Sequence, residues 1–582
     1  MKKRTGLSMF LVSLLFAGSL GGLTGCGNDG PVDESGNKID LASTTELNVV
    51  VYEGGLGYDW AQNAANKFYT KYKNESFEPG KMGCYVNVIP QKEGLDETTL
   101  AAGLEAGTVT SDIFYTSMSN IKDFTKKNLS MDISDILAEN CYDEDGELTE
   151  SGATKSILSK LKSFYKEGWA MTDSSGTDHY YALPYEWNLY AFNYNYDMFK
   201  EYGLLNYSGL DGTPKTTDEF LELLDDLYNL SIKGFTHQPY DAPWYTQNFN
   251  YGFLRQYEGK DEAILNYTYD GVATFDAGTF DADTCQREGI VTERDGTQSV
   301  IITPENAYLL NMQSGKKALF DFLSKINTTA YCDSSLAYST HSYTKAQSNF
   351  VMSDSSVVKE KIAMIFEGDY FEREAKTFLD SLGEREPGKG YGKTEYRAMP
   401  IPQDPDGKNE DGYVFMTGGN TVMFVNAKSQ SKKEAIRKWL QFTYSDSALN
   451  DYITYTGVCP AFDFKLTEAT KAKITPYSYY CYQIKNQNYI DEKTGEKAEI
   501  TLDCIVTEVK GKHQFTDYKT VQGYGSMYKV NNTQAIWKLF YEKPNLQGKG
   551  EEVFNENFGL TEDSIKSWKE AYTKYWVDYN PA

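Results

Sequence analysis

Between residues 46 and 116, short apolar runs alternate with stretches in which apolar residues return every three or four positions. The run 46–53 (ELNVVVYE) reads as a strand, and 59–72 sets Trp60, Ala64, Phe68 and Tyr72 on one stripe of an amphipathic helix, because residues four apart share a helical face. A second strand is expected at 84–90 (CYVNVIP), a helix at 98–106 that ends at Gly107, and a third strand at 112–116 (DIFYT). This alternation predicts an α/β fold with a mostly parallel sheet covered on both faces.

The pattern loosens from 205 to 300, where Asp211-Gly212, Asp270-Gly271 and Asp295-Gly296 mark turns, and that stretch reads as an enlarged, loop-rich insertion. Regularity returns with helices expected at 304–326 and 342–352, a strand at 361–366, a helix at 369–382 and a strand-like segment at 394–401. Residues 413–426 are strand-rich but interrupted by Gly418-Gly419, and a helix is expected at 432–444.

The N-terminus changes the picture of where the chain works. Lys2, Lys3 and Arg4 precede a mostly apolar stretch from 7 to 20, and Gly18, Gly21 and Gly22 break it well short of the ~20 apolar residues of a spanning helix. Leu23-Thr24-Gly25-Cys26 follows and resembles the lipobox of bacterial lipoproteins. The resemblance implies cleavage before Cys26 and its lipidation, a palmitate-bearing membrane anchor stable because it carries more than one chain. Residues 27–45 are polar and read as a flexible tether.

With the three basic residues of the leader removed from the 57 in the chain, 54 remain against 83 acidic residues, a net charge of −29. That balance excludes nucleic acid as a partner, which needs a basic footprint. The 46 tyrosines lift the aromatic share to 14%, and a flat apolar face tipped by a hydroxyl suits both half-buried packing and recognition of sugars. Seven cysteines follow Cys26, an odd number with no CxxC, so a zinc site or dense disulfide framework is not expected. Buried thiols or one or two incidental bridges are.

Several passages, taken in order, resemble the family 1 extracellular solute-binding proteins, the sugar-binding lipoproteins of ABC transporters. They are 181–199 (YALPYEWNLYAFNYNYDMF), 214–220 (PKTTDEF), 361–371 (KIAMIFEGDYF), Met399-Pro400-Ile401-Pro402, and 418–462, which opens GGNTVMFVNAKS and closes TGVCPAF. The resemblance implies a two-lobe periplasmic-binding-protein-like fold of type II, each lobe a mostly parallel sheet flanked by helices. Crossing hinge segments are then expected near 184–188, 414–420 and 460–466. Lobe 1 is expected to comprise 46–185 and 419–462, and lobe 2 to comprise 186–418 and 463–582. It further implies capture of a carbohydrate by hinge closure, a neutral oligosaccharide being the first expectation, and delivery to ABC-transporter permease subunits. The chain would be a monomer, lipid-anchored on the extracellular face of a Gram-positive cell membrane. Capture of a peptide, and a surface glycan-binding or adhesion lipoprotein without a transporter, are the alternatives within the binding class.

A sugar cleft pairs exposed rings with fixed donors and acceptors, and open α/β sheets bind ligands at strand ends. Tyr58, Asp59 and Trp60 follow the first strand behind Gly54-Gly55-Leu56-Gly57, with Trp60 alternatively the first core residue of its helix. Tyr115 and Ser117, with Thr116 between them, end the third strand. Glu186 and Trp187 sit at the first crossing, as ligand contacts or as a structural hinge. Glu367, Asp369 and Tyr370 follow a buried strand, and Tyr370 stands where the family commonly places a stacking Trp. Gly419 and Asn420 occupy the returning crossing, and Trp244 and Tyr245 are expected to overhang the cleft or to pack in a satellite core.

There is no GxSxG, HExxH, GxxxxGK[ST] or complete GxGxxG, and the four histidines form no ligand-like pair. The sequence therefore gives no catalytic, metal or cofactor site, although a glycosidase needs only two carboxylates.

Overall fold

The computed structural model describes residues 31–570 apart from 34–35, 93, 119–120, 142–154, 239–244, 304, 339, 410, 419–420, 505–528, 531–533, 564 and 567–568. Two sheets organise it. The first contains β1 (Thr45–Tyr52), β2 (Cys84–Gln91), β3 (Ile113–Ser117), β4 (Ala182–Pro184) and β10 (Thr421–Val425), in the order β2-β1-β3-β10-β4. The second contains β5 (Asn188–Asn195), β6 (Ile232–Thr236), β7 (Lys361–Gly368), β8 (Tyr396–Met399), β9 (Tyr413–Gly418) and β11 (Ile500–Cys504), in the order β11-β9-β5-β7-β6 with β8 also paired to β5.

Each sheet has one strand that runs against the rest. In the first it is β10, antiparallel to β3 and β4, and in the second it is β5, antiparallel to β7, β8 and β9. These are the strands that enter each sheet straight after a crossing. Three residues separate β4 from β5, and two separate β9 from β10. Gly418 and Asn188 face one another where the two crossings adjoin.

Both faces of both sheets are covered, which is why β5 and β10 are buried along their whole length and show no polar alternation. One face of the first sheet packs on a core that includes Phe68, Trp439 and Phe462, the other on Leu104, Phe124 and Phe424. The second sheet lies between a core containing Phe192, Phe249 and Trp537 and one containing Phe350, Phe371 and Tyr477. The chain passes out of the first core after Phe464 and joins the last at Tyr477.

The helix Asp59–Tyr72 spans the expected residues, and Gly107 ends the helix Glu97–Ala106 in the left-handed conformation at φ 74°. Elsewhere the elements differ from the expectation. The stretch 205–300 is not loop-rich: it carries Thr217–Asn229, Tyr245–Glu258, Lys260–Thr268 and Ala282–Glu288 as helices. Its strand β6 is built into the second sheet beside β7. Only 271–302 forms a satellite, a three-stranded sheet over its own small core. The expected helix 304–326 is a 3-10 turn, Ala307–Met312, followed by the helix Ser314–Ile326. The expected helix 369–382 is two pieces, Phe371–Glu374 and Lys376–Arg385, parted at Ala375. The strand expected at 394–401 is confined to Tyr396–Met399.

All seven cysteines among the described residues are free thiols, and six of them are buried. No group of metal-ligating residues occurs among the described residues, and none of their helices is long and apolar enough to cross a membrane.

Candidate functional site

The first crossing, Tyr185-Glu186-Trp187, turns its side chains to opposite sides. Trp187 is fully buried against Phe164, with ring centroids 5.7 Å apart, and Lys162 and Lys485 cover its ring at 5.3 and 5.5 Å. It is a hinge packing residue. Glu186, 6% exposed, turns the other way: its Oε1 lies 3.5 Å from where a Cβ on Gly54 would stand. Asn188 Nδ2 donates to Glu186 Oε2 at 3.5 Å, while Glu186 Oε1 and Asn188 Oδ1 are buried and meet no donor among the described residues. Burial pushes the Glu186 carboxyl up to about 7, against the lowering effect of Thr421 and Asn188, and Glu374 adds like-charge repulsion.

Glu374 comes from the second sheet's side. Strand β7 ends at Gly368, and the short helix Phe371–Glu374 begins after Asp369-Tyr370. Gln347 Nε2, on the helix Tyr343–Ser353, donates to Glu367 Oε1 at 2.9 Å and to Glu374 Oε2 at 2.6 Å. Burial raises Glu374 to about 7 as well, partly opposed by that Gln347 bond. Tyr370 folds back over the strand end, which only a glycine permits: a Cβ on Gly368 would come within 2.1 Å of the Tyr370 ring. There Tyr370 meets Tyr190 from β5 at 6.5 Å and Tyr245, the first residue of its helix, at 6.0 Å, and the last two rings are 6.2 Å apart. Gly252 lets that helix approach the sheet, since a Cβ there would meet Met416 and Ile401.

The site is thus three tyrosine rings bordered by Glu186, Glu367 and Glu374, at the crossing between the sheets. Asp369 is part of its foundation instead. Its carboxylate accepts from Leu189 N at 3.0 Å and pairs with the fully buried Lys485 at 2.5 Å, while Lys485 Nζ also donates to the Trp187 carbonyl. One buried cation therefore ties the first crossing, β5 and the strand end that carries Tyr370. Burial raises the Asp369 carboxyl even so, with Lys485 opposing.

The loop after β1 closes over this site from the first sheet. Gly54, Gly55 and Gly57 have φ of 45°, 79° and 76°, a region in which L side chains are strained. Leu56 inserts into the core of the second sheet, Asp59 reaches Arg373 at 3.7 Å, and a Cβ on Gly55 would stand 2.1 Å from Glu374 Cγ. We expect Gly55→Ala to weaken ligand binding by about 1–3 kcal/mol through overpacking in the closed form. Truncating Glu374 in the same chain should recover much of the closure, a coupling that a double-mutant cycle of dissociation constants measures.

Of the other sequence candidates, Trp60 and Tyr115 lie in the first core, 6% and 1% exposed, 5.2 Å apart and edge-on to one another. Trp60 also touches Tyr185 and Tyr452, which agrees with its reading as the first core residue of its helix. Tyr58 is half-buried and Ser117, paired with Thr421, ends β3. Trp244, Gly419, Asn420 and Cys26 lie outside the described residues. Tyr245, read in the sequence with Trp244 as overhanging the cleft or packing in a satellite core, packs against the core of the second sheet, while Tyr190, Gln347 and Glu374 were not singled out in the sequence. The signal available for Tyr190 was its place two residues into a strand that starts at a crossing.

The family of bacterial extracellular solute-binding proteins matches residues 73–465. No curated protein sequence matches the chain. Among solved structures, RafE in complex with raffinose is similar at 15% identity and TM-score 0.50, over 90% of this chain and 100% of that one. The apo-form of RafE from Streptococcus pneumoniae is similar at 14% identity and TM-score 0.50, over 91% of this chain and 100% of that one. A probable secreted solute-binding lipoprotein from Streptomyces coelicolor is similar at 12% identity and TM-score 0.51, over 91% and 98%. These likenesses extend the shared fold beyond the matched segment, and the match over 73–465, two thirds of the chain, makes it a member of the bacterial extracellular solute-binding protein family.

Proposed function

We propose that this protein captures an oligosaccharide at the crossing between its two sheets and presents it to the permease of an ABC importer. The observation that carries this reading is the meeting of Tyr190, Tyr245 and Tyr370 with Glu186, Glu367 and Glu374 under a glycine loop from the opposite sheet. Flat rings take the C–H faces of a sugar and carboxylates accept its hydroxyls. Halves joined by short crossings can open and shut around such a guest. That RafE is described in complex with raffinose supports a sugar as the guest. On this reading lobe 1 comprises 46–185 and 419–462 and lobe 2 comprises 186–418 and 463–582, and Cys26 would tether the protein by its lipid outside the cell.

Mass spectrometry of ligand retained by the protein lacking its leader, followed by calorimetry against oligosaccharide and peptide panels, tests the reading. A retained oligosaccharide that binds again with micromolar or better affinity, about −8 kcal/mol, supports it. Retention of a peptide, or heat from peptides alone, sinks it.

A further inference from the structure

Two carboxyls at the candidate site flank one loop. Glu186 Oε1 lies 3.5 Å from where a Cβ on Gly54 would stand, and a Cβ on Gly55 would collide with Glu374 Cγ. The Gly54-Gly55 stretch of the first sheet is therefore held between a carboxyl of the crossing and a carboxyl from the second sheet's side. Glu367 joins them through Gln347, whose Nε2 donates to both Glu367 and Glu374. Position separates this cluster from other buried carboxyls. Glu258 accepts from Gly315 N at 2.6 Å and Glu372 from Thr475 Oγ1 at 2.5 Å, on elements that pack the cores of the second sheet alone, so movement of the halves leaves both as they are. Glu186 and Glu374 are covered by a loop of the opposite half, so opening rehydrates them and closing strips that water away.

A carboxylate that loses water binds a proton more readily, and two carboxyls brought together resist ionising at once. Burial raises both Glu186 and Glu374, and each half's approach brings the one nearer the other. Thr421 and Asn188, which favour the charged form of Glu186, oppose the shift without cancelling it. The groups around the pair do not take over its proton. Burial holds the phenols of Tyr185, Tyr190, Tyr245 and Tyr370 above their ordinary range, so they stay neutral, and Tyr165 and Tyr452 behind the crossing do the same. Arg373, next in the chain to Glu374, turns to Asp59 at 3.7 Å, and Lys485 is taken by Asp369 at 2.5 Å.

We propose that the halves take up a proton as they shut on the ligand, held between Glu186 and Glu374 beside Glu367, so that capture tightens in acid and loosens as pH rises. The proposal rests on the carbohydrate reading for the guest and adds what governs the hold on it. Both carboxyls titrate higher in the shut form than in the open one. The advantage of the shut form is therefore complete below the ordinary glutamate value of 4.5 and is lost as pH rises through the shut-form value of about 7.

Calorimetry in pairs of buffers of different ionisation enthalpy tests it, with raffinose, maltotriose and xylotriose, which carry no group that titrates near neutrality, and with trialanine as a probe that is not a sugar. The expected result is uptake of about one proton per bound saccharide at about pH 6, and affinity that falls at least about tenfold from about pH 5 to about pH 8. Glu186→Gln and Glu374→Gln should each lower the uptake. The two together should abolish most of it and flatten the pH profile, while a wild-type circular dichroism melt shows an intact fold. Saccharide binding without proton uptake, or uptake that survives the double substitution, overturns the proton step and leaves the carbohydrate reading standing. Heat with proton uptake from trialanine alone upholds the proton step and overturns the carbohydrate reading. No heat from any of the four overturns both.

Discussion

Lys485→Met should lower the stability of the protein by about 3–5 kcal/mol, the usual result of removing one partner from a buried ion pair. The Lys485 ammonium is fully buried, 2.5 Å from Asp369, and donates to the Trp187 carbonyl in the first crossing. Without it Asp369 keeps the amide of Leu189 but loses its counter-charge. The carboxyl, already raised by burial, must then take up a proton or draw in water. Replacing both partners, Lys485→Met with Asp369→Asn, removes the stranded charge, so the double variant should be more stable than the single one. Scanning calorimetry of the three proteins checks this order. A single variant as stable as the parent would show that the cation does not pin the crossing.

Tyr370→Ala should weaken ligand binding by about 2–3 kcal/mol, some 30- to 150-fold, the scale expected of a central aromatic contact. Its ring touches both other tyrosines, Tyr190 at 6.5 Å and Tyr245 at 6.0 Å. The strand end is shaped around it by Gly368. Because the ring is also buried, Tyr370→Phe is the companion measurement. It keeps the packing and loses only the hydroxyl, and should cost less than about 1.5 kcal/mol. Equal affinities for Tyr370→Ala and the parent, with the fold intact, would remove these rings from the ligand site.

How much of this was legible in the sequence depended on how each element is covered. The helix Asp59–Tyr72 packs one face and left a clear four-residue stripe. The first three strands stood out because turns and polar residues bound their apolar runs. Strand β6 was missed for a physical reason: IKGFT is short and contains Gly234, which sits against Leu224 where a side chain would not fit. It reads as a turn until β7 pairs with it. The break at Ala375 splits a stretch whose composition alone favours one helix.

The site divided in the same way. Glu186, Glu367 and Tyr370 lie at strand ends or at a crossing, positions that a strand-by-strand reading reaches. Gln347 and Glu374 lie on helices, where polar residues are ordinarily solvent-facing and carry no mark of burial. Tyr190 belongs to a strand buried on both faces, so no alternation distinguishes the ring at the site from those that fill the core.

The central claim is that two sheet-centred halves shut on a saccharide at their crossing, and small-angle X-ray scattering with and without the retained ligand tests it most directly. The account predicts a smaller radius of gyration with ligand present, and no such contraction for Tyr370→Ala at the same ligand concentration. A ligand that binds with heat yet leaves the scattering curve of the parent protein unchanged would contradict it.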